Sequence, residues 1–175
     1  MGKKIKHSVE DDYLDEPIYS RIKKVFEGNN VSWQFFGGTS DLNDDPKQFY
    51  FGHNIYQDHT SVSPIGTELV PLIDKINPMA LHRVRVNLMP RTEENIESDF
   101  HCDYDEGFTY PDRIDLWSTS IYYLNDCDGY TKLEDGTIIK SKDNRLLTFN
   151  GNIKHLGASC TDKKRRLVVN LNYIK

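Results

Sequence analysis

Cysteine, tryptophan and long apolar runs are scarce in this sequence. Of its 175 residues, 3 are Cys and 2 are Trp. Cys102, Cys127 and Cys160 are widely spaced and form no C-x-x-C pair, so neither a disulfide framework nor a zinc ribbon is indicated, and a reducing compartment suits them. No run approaches the roughly 18 to 20 apolar residues that cross a bilayer, and the first residues lack the apolar stretch of a signal peptide. We therefore expect a soluble, cytoplasmic protein that does not bind a membrane.

Internal repeats, low-complexity tracts and phosphate-binding glycine motifs are also absent from the sequence. Neither G-x-G-x-x-G nor G-x-x-x-x-G-K-[ST] occurs, so nucleotide binding of those kinds has no support. With 37% hydrophobic and 28% charged residues, the composition fits one compact globular unit. A single domain spanning residues 1–175 is expected.

Helical patterns come first along the chain and strand patterns follow. Asp15 and Pro17 predict a helix that ends at Gly28, and a second helical pattern stops at Asn77-Pro78. Short apolar or alternating runs then occupy residues 82–88, 117–124, 137–140, 145–149 and 166–174. This order predicts an α+β, mainly β fold with an antiparallel sheet or barrel. Residues 1–80 would support a core formed by residues 81–175.

An H-x-D triplet, His101 and Asp103, carries the first chemical signal. In an extended segment these two side chains share a face and can point at one ion. His155, at the end of another strand pattern, supplies a second imidazole. Two His and one carboxylate form the facial triad of non-haem Fe(II) oxygenases, which leaves coordination positions open for a co-substrate and oxygen. Arg166 opens the last strand, whose polar face would hold Arg166, Val168, Asn170 and Asn172.

The ordered set of motifs resembles the 2-oxoglutarate- and Fe(II)-dependent dioxygenases, with the prolyl 4-hydroxylase-like branch nearest. The resemblance covers roughly residues 82–174 and keeps both order and spacing. The motifs are His101-x-Asp103, Ile121-Tyr122-Tyr123-Leu124-Asn125, Asp128-Gly129-Tyr130-Thr131, Asn144-Arg145-Leu146-Leu147-Thr148-Phe149, His155 and Arg166. The compact chain also resembles stand-alone oxygenases encoded by tailed phages, which implies the host cytoplasm as its location.

The resemblance implies roles for individual residues. It makes His101, Asp103 and His155 the ligands of Fe(II). It makes Arg166 the partner of the distal carboxylate of 2-oxoglutarate, because a planar guanidinium can form two parallel hydrogen bonds. The adjacent Arg165 stays the alternative, because the family tolerates about one residue of variation in this spacing.

Tyr123 matches a family position whose hydroxyl assists the same carboxylate. Thr119 and Ile121 share its strand face, so we expect them to line the co-substrate pocket, and Trp117 extends that face toward the substrate. The other candidates for substrate contact are Asn87, Asn170 and Asn172.

The resemblance also implies a fold, a reaction and cofactors. The fold would be a double-stranded β-helix, a jelly-roll barrel with the metal at its open end. Fe(II) would be the cofactor, with 2-oxoglutarate and O2 as co-substrates and ascorbate as a candidate reductant. A peptidyl prolyl or amino-acid side chain would be hydroxylated while 2-oxoglutarate is converted to succinate and CO2. The alternatives are hydroxylation of a free small molecule and, in a different class, a non-catalytic cupin-like metal-binding or sensor protein.

Acidic residues concentrate around the H-x-D triplet. Residues 91–112 contain Glu93, Glu94, Glu97, Asp99, Asp103, Asp105, Glu106 and Asp112 against Arg91 alone. If they form a rim at the mouth of the barrel, they favour a neutral or cationic peptide or small molecule. Nucleic acid would be repelled, since its affinity comes largely from phosphate neutralisation.

Overall fold

The structure, a computed structural model, describes residues 6–38, 46–104 and 115–175. These residues contain helices α1 (Glu16–Glu27) and α2 (Val70–Ile76) and a 3-10 helix, Pro64–Leu69. The strands are β1 (His7–Glu10), β2 (Gln34–Phe36), β3 (Tyr50–Gln57), β4 (Thr60–Ser61), β5 (Ala80–Pro90), β6 (Trp117–Tyr123), β7 (Tyr130–Leu133), β8 (Ile138–Lys140), β9 (Arg145–Asn150), β10 (His155–Gly157) and β11 (Arg165–Ile174). The chain is mainly β, as the sequence predicts.

Two antiparallel sheets organise these strands. The large sheet has the order β1-β9-β6-β11-β5-β3-β2, with β4 paired to β3. The small sheet has the order β10-β7-β8. Strands β1 to β4 come from the first 80 residues, so this part of the chain extends the main sheet as well as supporting it.

Strand β11 lies at the centre of the large sheet, between β5 and β6. Its alternation follows the sequence prediction. Leu167, Val169, Leu171 and Tyr173 are buried in the main hydrophobic core. The opposite face contributes Arg166, Val168 and Asn170 to a cavity that residues of the small sheet also line. The central strand therefore separates an apolar core from a polar cavity.

Helix α1 covers the apolar face of the large sheet. Pro17 lies in its first turn, and Tyr19, Ile22 and Phe26 are its buried residues. The hydroxyl of Tyr19 donates to the carbonyl of Leu124, just beyond β6, at 3.0 Å. The predicted first helix is thus confirmed and packs on the core side of the sheet, away from the cavity.

Helix α2 ends as its sequence predicts. Asn77 has φ 53° and ψ 59°, the left-handed conformation that asparagine tolerates well at a helix end. Its backbone N–H bonds the carbonyl of Ile73 at 2.9 Å. None of the helices in the described ranges is long and apolar enough to cross a membrane.

Candidate metal centre and its cavity

The two histidines are brought together by the backbone. His101 and His155 form an isolated antiparallel bridge, in which each residue's N–H bonds the other's carbonyl, at 3.0 and 2.9 Å. This pairing places the two imidazole centroids 4.6 Å apart. Asp103 lies two residues beyond His101, so its carboxylate reaches the same point. One potential ligand atom from each of the three residues lies within 4.8 Å of the others.

Hydrogen bonds fix which nitrogen of each ring faces the cluster. Nδ1 of His101 lies 3.0 Å from the carbonyl of Asp99, and Nδ1 of His155 lies 3.1 Å from the carbonyl of Ile153. A carbonyl oxygen only accepts, so each Nδ1 carries a proton, which in the neutral ring leaves the lone pair on Nε2. Nε2 of His155 lies 3.8 Å from Oδ2 of Asp103. Both rings are therefore oriented as ligands are in protein metal sites.

The carboxylate of Asp103 is held on both oxygens. Arg83 Nη2 donates to Oδ1 at 2.8 Å. Thr119 Oγ1 and Asn172 Nδ2 donate to Oδ2 at 2.8 and 2.9 Å. Asn172 also accepts from Nε of Arg83 at 2.8 Å, which closes a network around the carboxylate. These partners come from β5, β6 and β11, so the centre of the large sheet sets the orientation of Asp103.

The electrostatics keep Asp103 charged and His155 neutral. Burial raises the pKa of Asp103, but the imidazolium that His155 forms at low pH, the charge of Arg83 and the hydrogen bond from Thr119 outweigh it and bring the pKa down to about 2. Burial lowers the pKa of His155, although the charge of Asp103 opposes this. A carboxylate and a neutral imidazole are the forms that bind metal.

The donor set fits a divalent transition metal. Two imidazole nitrogens and one carboxylate are the facial triad found in non-haem Fe(II) oxygenases, and the oriented second ring nitrogens are what such a site requires. His101, Asp103 and His155 are the residues that could hold the ion.

The triad lies in the wall of a cavity of about 260 Å³ between the two sheets. Arg166 is 3% exposed and lines this cavity. Its Nε donates to Ser141 Oγ at 2.8 Å, and its Nη2 donates to Thr131 Oγ1 at 2.9 Å. Both bonds fix the plane of the guanidinium. By contrast, Nη2 of Arg165 donates to the carbonyl of Glu27, on the helix side of the sheet.

Tyr123 supports Arg166 from behind. Its hydroxyl donates to the same Thr131 Oγ1 at 2.9 Å, and the guanidinium carbon of Arg166 lies 5.5 Å from the centroid of its ring. Burial raises the pKa of Tyr123, with the charge of Arg166 opposing, so the phenol stays protonated. Thr131 was not singled out from the sequence, although it lies in a motif that carries the resemblance.

Several predicted lining residues have other positions. Thr119 is fully buried and Asn172 is 1% exposed, and both bind Asp103 instead of facing co-substrate or substrate. The ring of Trp117 packs against that of Tyr104 in a tilted arrangement, with 4.6 Å between centroids, and also contacts His82. These three residues share a strand face with Ile121 or Asn170, which line the cavity, but they are not among its described lining residues.

Other predicted residues do line the cavity, namely Ile121, Asn87 and Asn170. Sequence reasoning missed Arg83 and Arg85, although both lie on the alternating strand that contains Asn87 and share its face. That alternation was the signal that could have identified them.

The charge of the cavity also differs from the expectation. Among the described residues, its lining includes Lys47, Arg83, Arg85 and Arg166, whereas Asp103 is its only acid. Of the predicted acidic rim, Glu94 pairs with Lys47, and Glu97 accepts from the hydroxyl of Tyr130 and from Lys132. Asp105, Glu106 and Asp112 fall outside the described residues. The described lining is basic, so the expectation of a neutral or cationic substrate finds no support in it.

The fold recurs in solved structures, whereas the sequence matches no protein-family model and no curated protein. A 2OG-Fe(II) oxygenase family oxidoreductase from Burkholderia pseudomallei has a TM-score of 0.68 at 11% identity, over 95% of this chain and 84% of its own. A prolyl hydroxylase from Trichoplax adhaerens, in complex with a hypoxia inducible factor peptide fragment, has a TM-score of 0.60 at 17% identity, over 96% and 83%. The alpha-ketoglutarate-dependent epimerase SnoN of nogalamycin biosynthesis has a TM-score of 0.62 at 11% identity, over 98% and 77%.

At such identities the likeness concerns the fold, which an epimerase and a prolyl hydroxylase share. It agrees with the mainly antiparallel architecture of this chain. The chain has the double-stranded β-helix fold of the 2-oxoglutarate- and Fe(II)-dependent oxygenases.

Proposed function

We propose that this protein is an Fe(II)- and 2-oxoglutarate-dependent oxygenase that hydroxylates an organic substrate. The observation that carries the proposal is that the cluster of His101, Asp103 and His155 opens into the same cavity as the buried Arg166. A facial triad and a guanidinium in one cavity match the two ends of 2-oxoglutarate, which chelates a metal at one end and carries a carboxylate at the other.

Each residue then has a stated task. His101, Asp103 and His155 would hold Fe(II), and the hydrogen bonds from Arg83 and Asn172 fix the carboxylate of Asp103. When bound, Fe(II) with 2-oxoglutarate and O2 supplies the oxidation of a substrate C–H bond, with release of succinate and CO2.

Arg166 would bind the distal carboxylate of 2-oxoglutarate. Its orientation is set before binding by Thr131 and Ser141, so little side-chain entropy is lost when the carboxylate arrives. Tyr123 keeps Thr131 in place and closes the cavity behind the guanidinium. Ile121 and Val168 give this end an apolar wall that limits access of water.

Formation of succinate from 2-oxoglutarate tests the proposal. We expect aerobic, Fe(II)-dependent succinate formation in the presence of a panel of candidate peptides, amino acids and other metabolites, and none from His155→Ala. A mass-spectrometric search for one added oxygen then identifies the substrate, whether a prolyl or other side chain in a peptide or a free small molecule. Metal binding without any succinate formation across the panel would instead favour a non-catalytic metal-binding protein.

A further inference from the structure

We propose that Arg85 binds an anionic group of the substrate in this cavity. The substrate carries a carboxylate or phosphate that pairs with the Arg85 guanidinium, and it also carries an N–H or O–H group beside that anion. The proposal rests on the proposed function, since it names the substrate class of the same site. It differs from the expectation of a neutral or cationic substrate and from a neutral prolyl residue within a peptide.

Arg85 lies at the right distance from the metal ligands for this role. It lies on β5 two residues from Arg83, which binds Asp103, and both line the cavity. Two residues of a strand span about 7 Å, so a small molecule held at Arg85 reaches the metal centre with its next few atoms. Arg166 lies on β11, where its neighbour in register is Met89 of β5, so the two arginines are separate anchors.

The guanidinium of Arg85 is held in place before any ligand binds. Its Nε donates to Oδ1 of Asn54 at 2.6 Å, and its Nη1 donates to the hydroxyl of Tyr50 at 3.4 Å. Its central carbon lies 4.8 Å from the centroid of the Phe36 ring, and that ring stacks on Tyr50 at 5.0 Å. A planar donor that is fixed in this way is suited to bidentate binding of a carboxylate or phosphate.

Gly52 makes this arrangement sterically feasible. A Cβ at this position would lie 2.7 Å from Cε2 of Phe36 and 3.3 Å from Cδ of Arg85. Both contacts are closer than carbon atoms pack, so a side chain here would displace the ring or the arginine. The backbone of β3 thus leaves space for the stack of Arg85 on Phe36.

The charge of Arg85 lacks a counter-ion in the described part of the chain. Arg83 is paired with Asp103, whereas no ion pair among the described residues includes Arg85. Burial lowers the pKa of Arg85, as expected for a cation withdrawn from water, and a bound anion would offset that cost.

Two unsatisfied oxygens belong to side chains that line the same cavity as Arg85. Oδ1 of Asn87 and Oδ1 of Asn170 are buried and have no hydrogen-bond partner among the described residues, and both side chains line the cavity. Asn170 is opposite Arg85 in the sheet register, and Asn87 is two residues further along β5. A buried acceptor without a donor is costly, so these oxygens favour a ligand with an N–H or O–H beside its anion. Free amino acids and hydroxy acids are the simplest molecules of this kind.

Matched acids and amides test the proposal. The probes are the free amino acids and small hydroxy acids, their primary amides, and phosphomonoesters of similar size. Binding to the full chain is measured by calorimetry, with Fe(II) and 2-oxoglutarate bound under anaerobic conditions and again without them. We expect at least one acid or phosphomonoester to bind at least 10-fold more tightly than its uncharged counterpart. Whether the carboxylic acids or the phosphomonoesters bind more tightly identifies the anion.

The variant Arg85→Gln should abolish this discrimination while keeping the affinities for Fe(II) and 2-oxoglutarate within about 2-fold. Arg21→Gln is the matched control and should change none of these, because Arg21 is an exposed arginine of α1 that pairs with Glu68 of the 3-10 helix. Equal binding of acid and amide by the wild-type protein, or unchanged discrimination in Arg85→Gln, would overturn the proposal. So would a raised 2-oxoglutarate requirement in Arg85→Gln, because Arg85 would then bind the co-substrate. Acid-selective binding without succinate formation would leave the subsite intact and refute the oxygenase function alone.

Discussion

Nδ2 of Asn172 donates to Oδ2 of Asp103 across 2.9 Å, although the two residues are separated by 69 positions in the sequence. Asn172 lies on the central strand of the large sheet, and Asp103 lies outside the strands. This hydrogen bond connects the central strand β11 with the carboxylate of Asp103. The orientation of Asp103 therefore depends on a residue that has no direct part in metal coordination.

Asn172→Ala should weaken Fe(II) binding about 10- to 100-fold, the usual effect of removing a partner that orients a metal ligand. The affinity is measured by anaerobic titration of the purified protein with Fe(II). Asn170→Ala is the matched control, because Asn170 lies on the same strand face and its Oδ1 has no hydrogen-bond partner among the described residues. This variant should bind Fe(II) as the wild-type protein does. Equal Fe(II) affinities for both variants and the wild-type protein would show that the network does not orient Asp103.

Arg166→Ala should raise the 2-oxoglutarate concentration needed for half-maximal binding by about 10- to 100-fold, because a charge-assisted, bidentate contact is lost. Fe(II) affinity should stay unchanged. Arg165→Ala removes the neighbouring arginine, which faces the carbonyl of Glu27, and should leave both affinities alone. If Arg165→Ala raised the 2-oxoglutarate requirement and Arg166→Ala did not, Arg165 would be the arginine that binds the co-substrate.

Asn144→Ala should destabilise the fold by about 2 to 4 kcal/mol, measured by urea unfolding. Its side chain accepts from the N–H of Leu14 at 2.9 Å and from the hydroxyl of Tyr122 at 2.7 Å, and donates to the carbonyl of Leu14 at 2.8 Å. Its φ of 54° also disfavours alanine. A loss below 0.5 kcal/mol would mean that water replaces these bonds. Asn150→Ala is the milder control, because it removes two more exposed bonds, one donated to the carbonyl of Asp115 and one accepted from the N–H of Asn152.

Asp11 predicts a pH dependence of stability outside the metal centre. Hydrogen bonds from Arg145 and Lys142 lower its pKa from 3.8 to about 2, against the effect of burial. Because the folded pKa lies below the unfolded one, its contribution is full above about pH 4 and is lost as the pH falls toward 2. The side chain is 37% exposed, so solvent screening limits the contribution to about 1 kcal/mol or less. Asp11→Asn should therefore lower the free energy of unfolding at pH 7 and leave it unchanged near pH 2, and an equal loss at both pH values would contradict this assignment.

The parts of the site that depend on order and spacing were predictable from the sequence. The triplet His101-x-Asp103, the later His155 and the arginine at the head of the last strand have a fixed order, and strand alternation correctly separates the cavity face of β11 from its core face. The first helix was equally predictable, because Pro17 and Gly28 mark its ends.

Alternation gives the face of a strand but not which part of that face borders the cavity. Thr119 and Ile121 share a face of β6, yet Ile121 lines the cavity and Thr119 binds Asp103. That difference depends on where the segment that contains Asp103, which is distant in the sequence, lies against the sheet. Of the small sheet, only β8 was predicted from the sequence, within the run 137–140. Strands β10 and β7 were not predicted, so the pairing of the small sheet and the bridge between His101 and His155 became visible only in three dimensions.

The central claim is that His101, Asp103, His155 and Arg166 together bind Fe(II) and 2-oxoglutarate in one cavity. Anaerobic addition of 2-oxoglutarate to the Fe(II)-loaded protein, followed by visible absorption, tests it most directly. We predict a saturable charge-transfer band in the wild-type protein, no band in His155→Ala, and a band that needs about 10- to 100-fold more 2-oxoglutarate in Arg166→Ala. A wild-type protein without the band, or a band that survives unchanged in His155→Ala, would contradict the assignment of the site.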